Sequence, residues 1–324
     1  RTVGWYIPDE ASTPATAGGL VAEMSVRRRF WALSDDSQGL AGSPVIRETL
    51  DNGITVLLQR RDTSAAVAIG GRVPFGTFLD DPDKPGITYL TSSMLRRGTR
   101  GRSFQEINGA LDHVGAALSV ATGRDELSIG GRCLGGDLNT VISLLGEMLR
   151  EPSFDERELE RLRGQILTHM AELERDTSYR ANLAFIESLY TSEHPYGRPL
   201  MGQAESISNL SAEDLRALYR RHLHPQNAIF ALVGSLDPEA VIAQFEATLG
   251  SWRPDSTPPP SERPAVELPG ARIVRTIDIP ARPQLDLIYG VLSMPRHSAD
   301  YYAAAVANVI LGELGMMGRL GASI

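Results

Sequence analysis

Cysteine is nearly absent from this chain: Cys133 is the only one among 324 residues. No internal disulfide can form, and zinc sites built on several thiolates are excluded. Cys133 lies in the apolar stretch from Leu127 to Leu134, where a buried thiol is expected rather than a nucleophile. Long apolar runs are missing as well. None approaches the roughly 20 residues that cross a bilayer, and the longest, Ala303 to Leu311, reads as one buried helix. No membrane span is expected. No leader peptide is visible at Arg1, and for a soluble protein this leaves periplasm and cytoplasm both open. Basic charge is outweighed, with 32 Lys and Arg against 40 Asp and Glu and a formal net charge of -8. That balance argues against nucleic acid or an anionic membrane as the main partner. The short run Arg27-Arg28-Arg29 reads as a solvated loop. The glycine pairs at Gly70, Gly130 and Gly135 are not followed by Lys-Ser/Thr, so they are not phosphate loops. Ser92-Ser93 is not in a nucleophile elbow.

What remains is a globular composition, 42% hydrophobic and 22% charged, sufficient for one large domain or two smaller ones. Residues 9–44 read as an exposed linker rich in small and polar residues. Strands are expected at Val45–Thr49 and Ile54–Gln59, joined by a hairpin at Asn52-Gly53. Ala65–Val73 is apolar enough for a central strand. Helical spacing covers Ile87–Arg96, and Ser103 with Glu106 forms a capping-box pattern before a helix to Val114. Strands follow at Leu118–Thr122 and Glu126–Cys133, then helices at Leu138–Leu149, Glu156 to about Arg175 with Asp155 as cap, and Tyr179–Leu189. His194–Met201 reads as a loop. Ser211 and Asp214 open another helix to His222. Asn227–Gly234 is a strand and Pro238–Leu249 a helix. Residues 251–270 are a Pro-rich linker. Beyond it, strands are expected at Arg272–Ile279 and Leu285–Val291 and a helix at Ala299–Leu311. This mixed order argues α+β.

Residues Gly86 to Thr99 read GITYLTSSMLRRGT. The segment resembles the active-site helix of the pitrilysin/insulinase family of zinc metallopeptidases, which carries an inverted H-x-x-E-H zinc motif. Gly86, Met94, Gly98 and Thr99 match its frame. Tyr89 and Ser93 stand at the two His positions and Ser92 at the Glu. The likeness continues in Leu50 to Val56, in His194-Pro195-Tyr196-Gly197-Arg198-Pro199 with Gly202, in Tyr219 to Asn227 with Val233-Gly234, and in Leu249-Gly250-Ser251-Trp252. It implies a metallopeptidase-like domain, similar to mitochondrial processing peptidase, over 45–250, with a mostly antiparallel sheet and helices on one side. Residues 271–324 resemble the start of a second homologous domain through Pro295 to Leu311 and Gly318-Arg319-Leu320. Residues 1–8 resemble the closing strand of a preceding one.

The resemblance places the family's third zinc ligand, a Glu, at His169, and a supporting Glu at Leu162. Neutral hydroxyls are poor zinc ligands, and Ser92 cannot take a proton as a carboxylate does. The expected site is therefore degenerate, at Tyr89, Ser92, Ser93 and His169, with no catalytic group, cofactor or metal in this chain. A polar pocket of hydrogen bonds among Tyr89, Ser93 and His169 is expected instead. His222 and His224 are two apart and share no helical face. The function implied is the non-catalytic half of a zinc metalloendopeptidase. It would help close a clamshell over unfolded peptides, with zinc in a catalytic half of the same polypeptide or of a partner subunit. Two alternatives stand beside it: a purely structural scaffold, as in respiratory-complex core subunits, and an active peptidase with altered ligands.

Overall fold

The computed structural model describes residues 44–190, 194–253, 266, 270–280, 285–313 and 317–323. The expected closing strand at 1–8 and all of the linker at 9–44 except Pro44 lie outside these residues. The chain divides into two compact units. The larger runs from Ser43 to Asp286, and the smaller includes Leu287–Ile324.

The larger unit is built on one six-stranded sheet. Its strands are β1 (Ile46–Thr49), β2 (Thr55–Arg60), β3 (Ala66–Val73), β4 (Ala117–Thr122), β5 (Leu127–Leu134) and β6 (Ile229–Gly234). Their spatial order is β1-β2-β6-β3-β5-β4. Every pairing is antiparallel except β2 with β6. The expected hairpin joins β1 and β2. Gly53 sits there at φ +87°, in the left-handed region that glycine enters freely. Asn52 is buried and donates to the carbonyls of Leu249 and Trp252, fixing the turn to the distant end of the domain.

Strand alternation sets the two faces of the sheet. Val67, Ile69 and Val73 of β3, Val56 and Leu58 of β2, and Phe230 and Leu232 of β6 are fully buried or nearly so. Helices cover this face. They are α1 (Ile87–Met94), α2 (Phe104–His113), α3 (Leu138–Arg150), α4 (Glu156–Leu173), α5 (Thr177–Leu189), α6 (Ala204–Asn209), α7 (Ala212–His222) and α8 (Pro238–Leu249). Both expected capping boxes are formed, Ser103 with Glu106 and Ser211 with Asp214. Asp155 caps α4 by accepting from the amides of Arg157 and Glu158. The opposite face of the sheet is lined by Ala66, Ala68, Gly70 and Arg72 of β3, all exposed, with Ala231, Gly130 and Leu57 beside them partly exposed.

Cys133 is buried, and its desolvated thiol is pushed up to about 11, so it stays protonated and unreactive at neutral pH.

The strands expected at Arg272–Ile279 and Leu285–Val291 are not formed: the described residues there join no ladder. Extended backbone becomes a strand only when its amides and carbonyls meet a neighbour. Here apolar side chains stand in the open instead, with Val274 72% and Leu285 90% exposed. The expected helix after them is shorter, α9 (Tyr301–Asn308), and runs on into a wider turn at Val309–Glu313.

Candidate functional site

Helix α1 holds the expected motif positions Tyr89, Ser92 and Ser93, and its position is fixed at its N-terminal end. Gly86 precedes it at φ +93°. The buried carboxylate of Asp80 accepts from the amides of Gly86 at 2.6 Å and Thr88 at 2.9 Å. It thereby satisfies two of the donors that a helix start leaves unpaired. Burial pushes the Asp80 carboxyl above its ordinary value, while these hydrogen bonds and nearby Arg198 oppose that shift. Replacing Asp80 with Ala is expected to cost about 2–4 kcal/mol, because two buried amides lose their acceptor. Urea unfolding checks this, and a change under about 0.5 kcal/mol would contradict it.

The loop from His194 to Gly202 braces the same corner. Its role was not legible in the sequence, where it appeared only as a family-like string. His194 is buried, and its Nδ1 accepts from the Tyr196 amide. Tyr190, His194 and Tyr196 form a ring cluster with centroids 5.0 to 5.7 Å apart. The Tyr196 hydroxyl donates to Asp125 in the β4–β5 turn. Arg124 from that turn donates to the Arg198 carbonyl, and Arg198 donates to the Asp80 carbonyl. At the far end of the loop, Gly202 packs on Pro85 and Gly86, backbone against backbone. Lys84 pairs with Asp214 of the second capping box at 2.5 Å, tying the entry of α1 to α7.

The motif positions themselves carry no zinc-binding set. Tyr89 is half-buried, and burial raises its phenol further from ionisation. The Ser93 hydroxyl donates to the Tyr89 carbonyl at 2.8 Å, within its own helix. The Ser92 and Thr91 hydroxyls are buried without a hydrogen-bond partner among the described residues. These are neutral oxygens, one of them already committed to backbone, and they do not fit a zinc centre that needs imidazole or carboxylate. Among the described residues, no group of three or more His, Cys, Asp or Glu side chains could hold a metal ion.

His169 corrects the expected polar pocket. It lies one turn beyond Gln165 on α4, and Gln165 accepts from Arg97 just past the end of α1. His169 is therefore on the stripe that meets the α1 end. Yet its side chain is 55% exposed, and its Nδ1 lies 3.7 Å from Glu172 of the same helix. No hydrogen bond links it to Tyr89 or Ser93. Serine is short and finds a carbonyl one turn back, so nothing draws the imidazole inward. Leu162, the other position read from the resemblance, is a core residue.

His222 is half-buried and pushed down to about 4, chiefly by desolvation and secondarily by Arg221 and His224. The His224 ring contacts the Arg221 carbonyl at 2.7 Å. Both are structural histidines at the end of α7. Among the described residues, no helix is long and apolar enough to cross a membrane.

Comparison with known proteins identifies the family of the fold. The family model described as "Insulinase (Peptidase family M16)" matches residues 55–204, and the one described as "Peptidase M16 inactive domain" matches 209–323. An uncharacterized zinc protease of Streptomyces coelicolor is 27% identical over 281 residues, covering 85% of this chain and 60% of the relative. A probable mitochondrial-processing peptidase beta subunit of Arabidopsis thaliana is 22% identical over 209 residues, covering 64% of this chain and 39% of the relative. The chain thus spans less than two thirds of either relative. The crystal structure of a peptidase M16 inactive domain from Pseudomonas fluorescens superposes with a TM-score of 0.73 at 22% identity, covering 86% of this chain and 67% of that one. Two models of one family lie end to end along the sequence, and the fold beneath them is the same, so this chain belongs to the M16, or insulinase-like, peptidase family.

Proposed function

We propose that this chain is a non-catalytic half of a zinc metalloendopeptidase and forms one wall of a chamber for unfolded peptide. The observation that carries the reading is the contrast within one site. The supports of α1 are intact in Asp80, Gly86 and Gly202, while its chemical positions hold Tyr89, Ser92 and Ser93. On this reading no metal binds here, and zinc belongs to a catalytic half in the same polypeptide or a partner subunit.

The open face of the sheet suits a peptide wall. Leu57, Ala231, Gly70, Gly130 and Ser119 align as one row across five strands. A row this low in side-chain bulk lets an extended chain approach the sheet closely. Edge strand β4 pairs only with β5 among the described residues and lies against α1. Its free side offers backbone donors and acceptors for strand addition. Residues 271–324 would begin the second homologous domain. On α9 and the wider turn that continues it, Tyr302, Val306 and Ile310 recur every four residues and are exposed, an apolar stripe that the rest of such a domain would cover.

Calorimetry with an unfolded peptide tests the reading. The chain is expected to bind without cleaving, and Ser119→Lys with Ala121→Lys is expected to weaken binding about tenfold or more, because Lys on an edge strand opposes strand addition. Absence of peptide affinity, with or without the catalytic half, would favour a scaffold. Turnover by this chain, or stoichiometric zinc that His169→Ala removes, would establish the altered-ligand enzyme instead.

A further inference from the structure

The open face of the sheet carries charge of one sign. Alternation along the strands places Arg47 of β1, Arg72 of β3 and Arg132 of β5 on it, in register with Leu57, Ser128 and Ala68. None of the six strands puts an Asp or Glu on this face. One acid reaches it from the β4–β5 turn: Glu126, 3.3 Å from Arg72. The side chains of Arg47 and Arg132 make no hydrogen bond or ion pair among the described residues. Their two unpaired positive charges stand on a chain whose formal net charge is -8.

The floor between these arginines is kept low where packing does not ask for it. Each glycine pair in β3 and β5 has one member turned to the core. A Cβ on Gly71 would stand 2.7 Å from the Phe230 ring, and one on Gly131 would stand 3.1 Å from the Ala117 carbonyl oxygen. Those two glycines have a structural reason. Their partners on the open face do not. A Cβ on Gly70 would meet nothing closer than the Ala231 carbonyl oxygen at 4.0 Å, and one on Gly130 would meet only the Ser119 hydroxyl, on a side chain that can rotate. Neither has a positive φ. Glycine weakens a strand interior, and one that no packing or φ requires suits the close approach of another chain.

Gly70 and Gly130 are register partners, and Arg47 extends their row through Ala231 and Leu57 to the outermost strand. Arg72 and Arg132 lie two residues to either side of the row, about 7 Å away along the strands. Strands β6, β3 and β5 are each paired on both sides, so their backbone groups are already used by the ladder. A peptide lying on this floor therefore finds its polar partners in the guanidiniums, which match carboxylates. Resting on the reading of this face as a peptide wall, we infer that the wall selects acidic peptides, held in extended form along the Gly70–Gly130 row with Asp or Glu side chains on Arg47, Arg72 and Arg132.

Fluorescence anisotropy with the whole chain at low ionic strength tests this. The probes are three labelled peptides of about ten residues, long enough to cross the sheet, in which apolar residues alternate with Glu, Gln or Lys. The Glu peptide is expected to bind about tenfold more tightly than the Gln peptide, and the Lys peptide more weakly than either. R47Q/R132Q removes no contact of the fold. It is expected to bring the Glu peptide to within about twofold of the Gln peptide, with Gln affinity and Tm unchanged. G70V, which fills the floor, is expected to weaken the Glu and Gln peptides together at unchanged Tm. Binding of the Gln peptide with no preference for Glu, or a preference that R47Q/R132Q retains, would overturn the charge selection and leave the peptide wall standing. Full Glu affinity in G70V would overturn the assigned row. Equally tight binding of an oligothymidylate of the same length would overturn the inference in favour of a general polyanion surface. Failure of all three peptides to bind would remove the wall itself, and the selection with it.

Discussion

Replacing Gly202 with Ala is expected to lower stability by about 3 kcal/mol or more. Two independent penalties act at this position. Its φ is +77°, where a side chain costs about 1–3 kcal/mol. A Cβ there would also stand 2.1 Å from the Pro85 carbonyl oxygen and 2.5 Å from the Gly86 Cα. Both obstacles are backbone, and they lie just before the buried helix α1, so neither can swing aside. Gly86 mirrors the problem, since its own Cβ would meet the Met201 carbonyl at 2.5 Å. The contact therefore cannot be relieved by moving one partner alone. With total stabilities of about 5–15 kcal/mol for folded domains, a loss of this size brings the unfolding midpoint down sharply. Gly136→Ala is the control, because nothing lies within 4 Å of its Cβ position. Urea unfolding of the two variants should separate them clearly. A Gly202→Ala protein within about 0.5 kcal/mol of the parent would show that the loop does not hold α1.

Removing Arg163 is the second large effect expected, about 3–5 kcal/mol for Arg163→Ala. This guanidinium is buried on α4. It donates to the Ile207 carbonyl and, at 2.7 Å, to that of Leu210, and it pairs with Glu160. The two carbonyls sit at the end of α6 and just after it, where no further turn of helix exists to satisfy them. Truncation leaves both without a donor in a dry site. Lys would restore the charge but only as a single point, so Arg163→Lys is expected to recover less than half of the loss. Hydrogen exchange adds a local reading: the amides of residues 204–211 should lose protection in both variants. Unchanged protection there would contradict the assigned role.

Helix α6 also shows where the sequence falls short. Six residues, Ala204–Asn209, are too few to display a helical period, and their end is held by an arginine 44 residues before Ile207. The segments after residue 270 show the reverse failure. Arg272–Ile279 has the apolar content of a strand, but a ladder requires a neighbour, and propensity alone does not supply one. At the positions that the resemblance equates with the zinc motif, the identities of Tyr89, Ser92 and Ser93 were plain. The fate of His169 was not. Its place on α4 follows from spacing, but whether it turns to α1 or to water depends on competing partners. Ser93 found its own helix carbonyl, and His169 turned to Glu172.

A cavity lined by Arg100, Arg150, Arg216, Arg220 and Arg253 could not have been foreseen along the chain. Its arginines are spread from Arg100 to Arg253, each unremarked among charged neighbours. Only the meeting of three helix ends brings them together.

The amino-acid sequence alone determined what depends on near neighbours. The Asn52-Gly53 hairpin, the capping boxes at Ser103 and Ser211, the Asp155 cap and the α+β alternation all rest on contacts a few residues apart. The composition of α1, which holds no His, Cys, Asp or Glu, is likewise a fact of the sequence alone. The tertiary structure decided what depends on long-range meetings. It inserted β6 between β2 and β3, locked Gly202 onto Gly86, and gathered the arginines. Those choices follow from burying one face of a single sheet, a global minimum that no local stretch encodes.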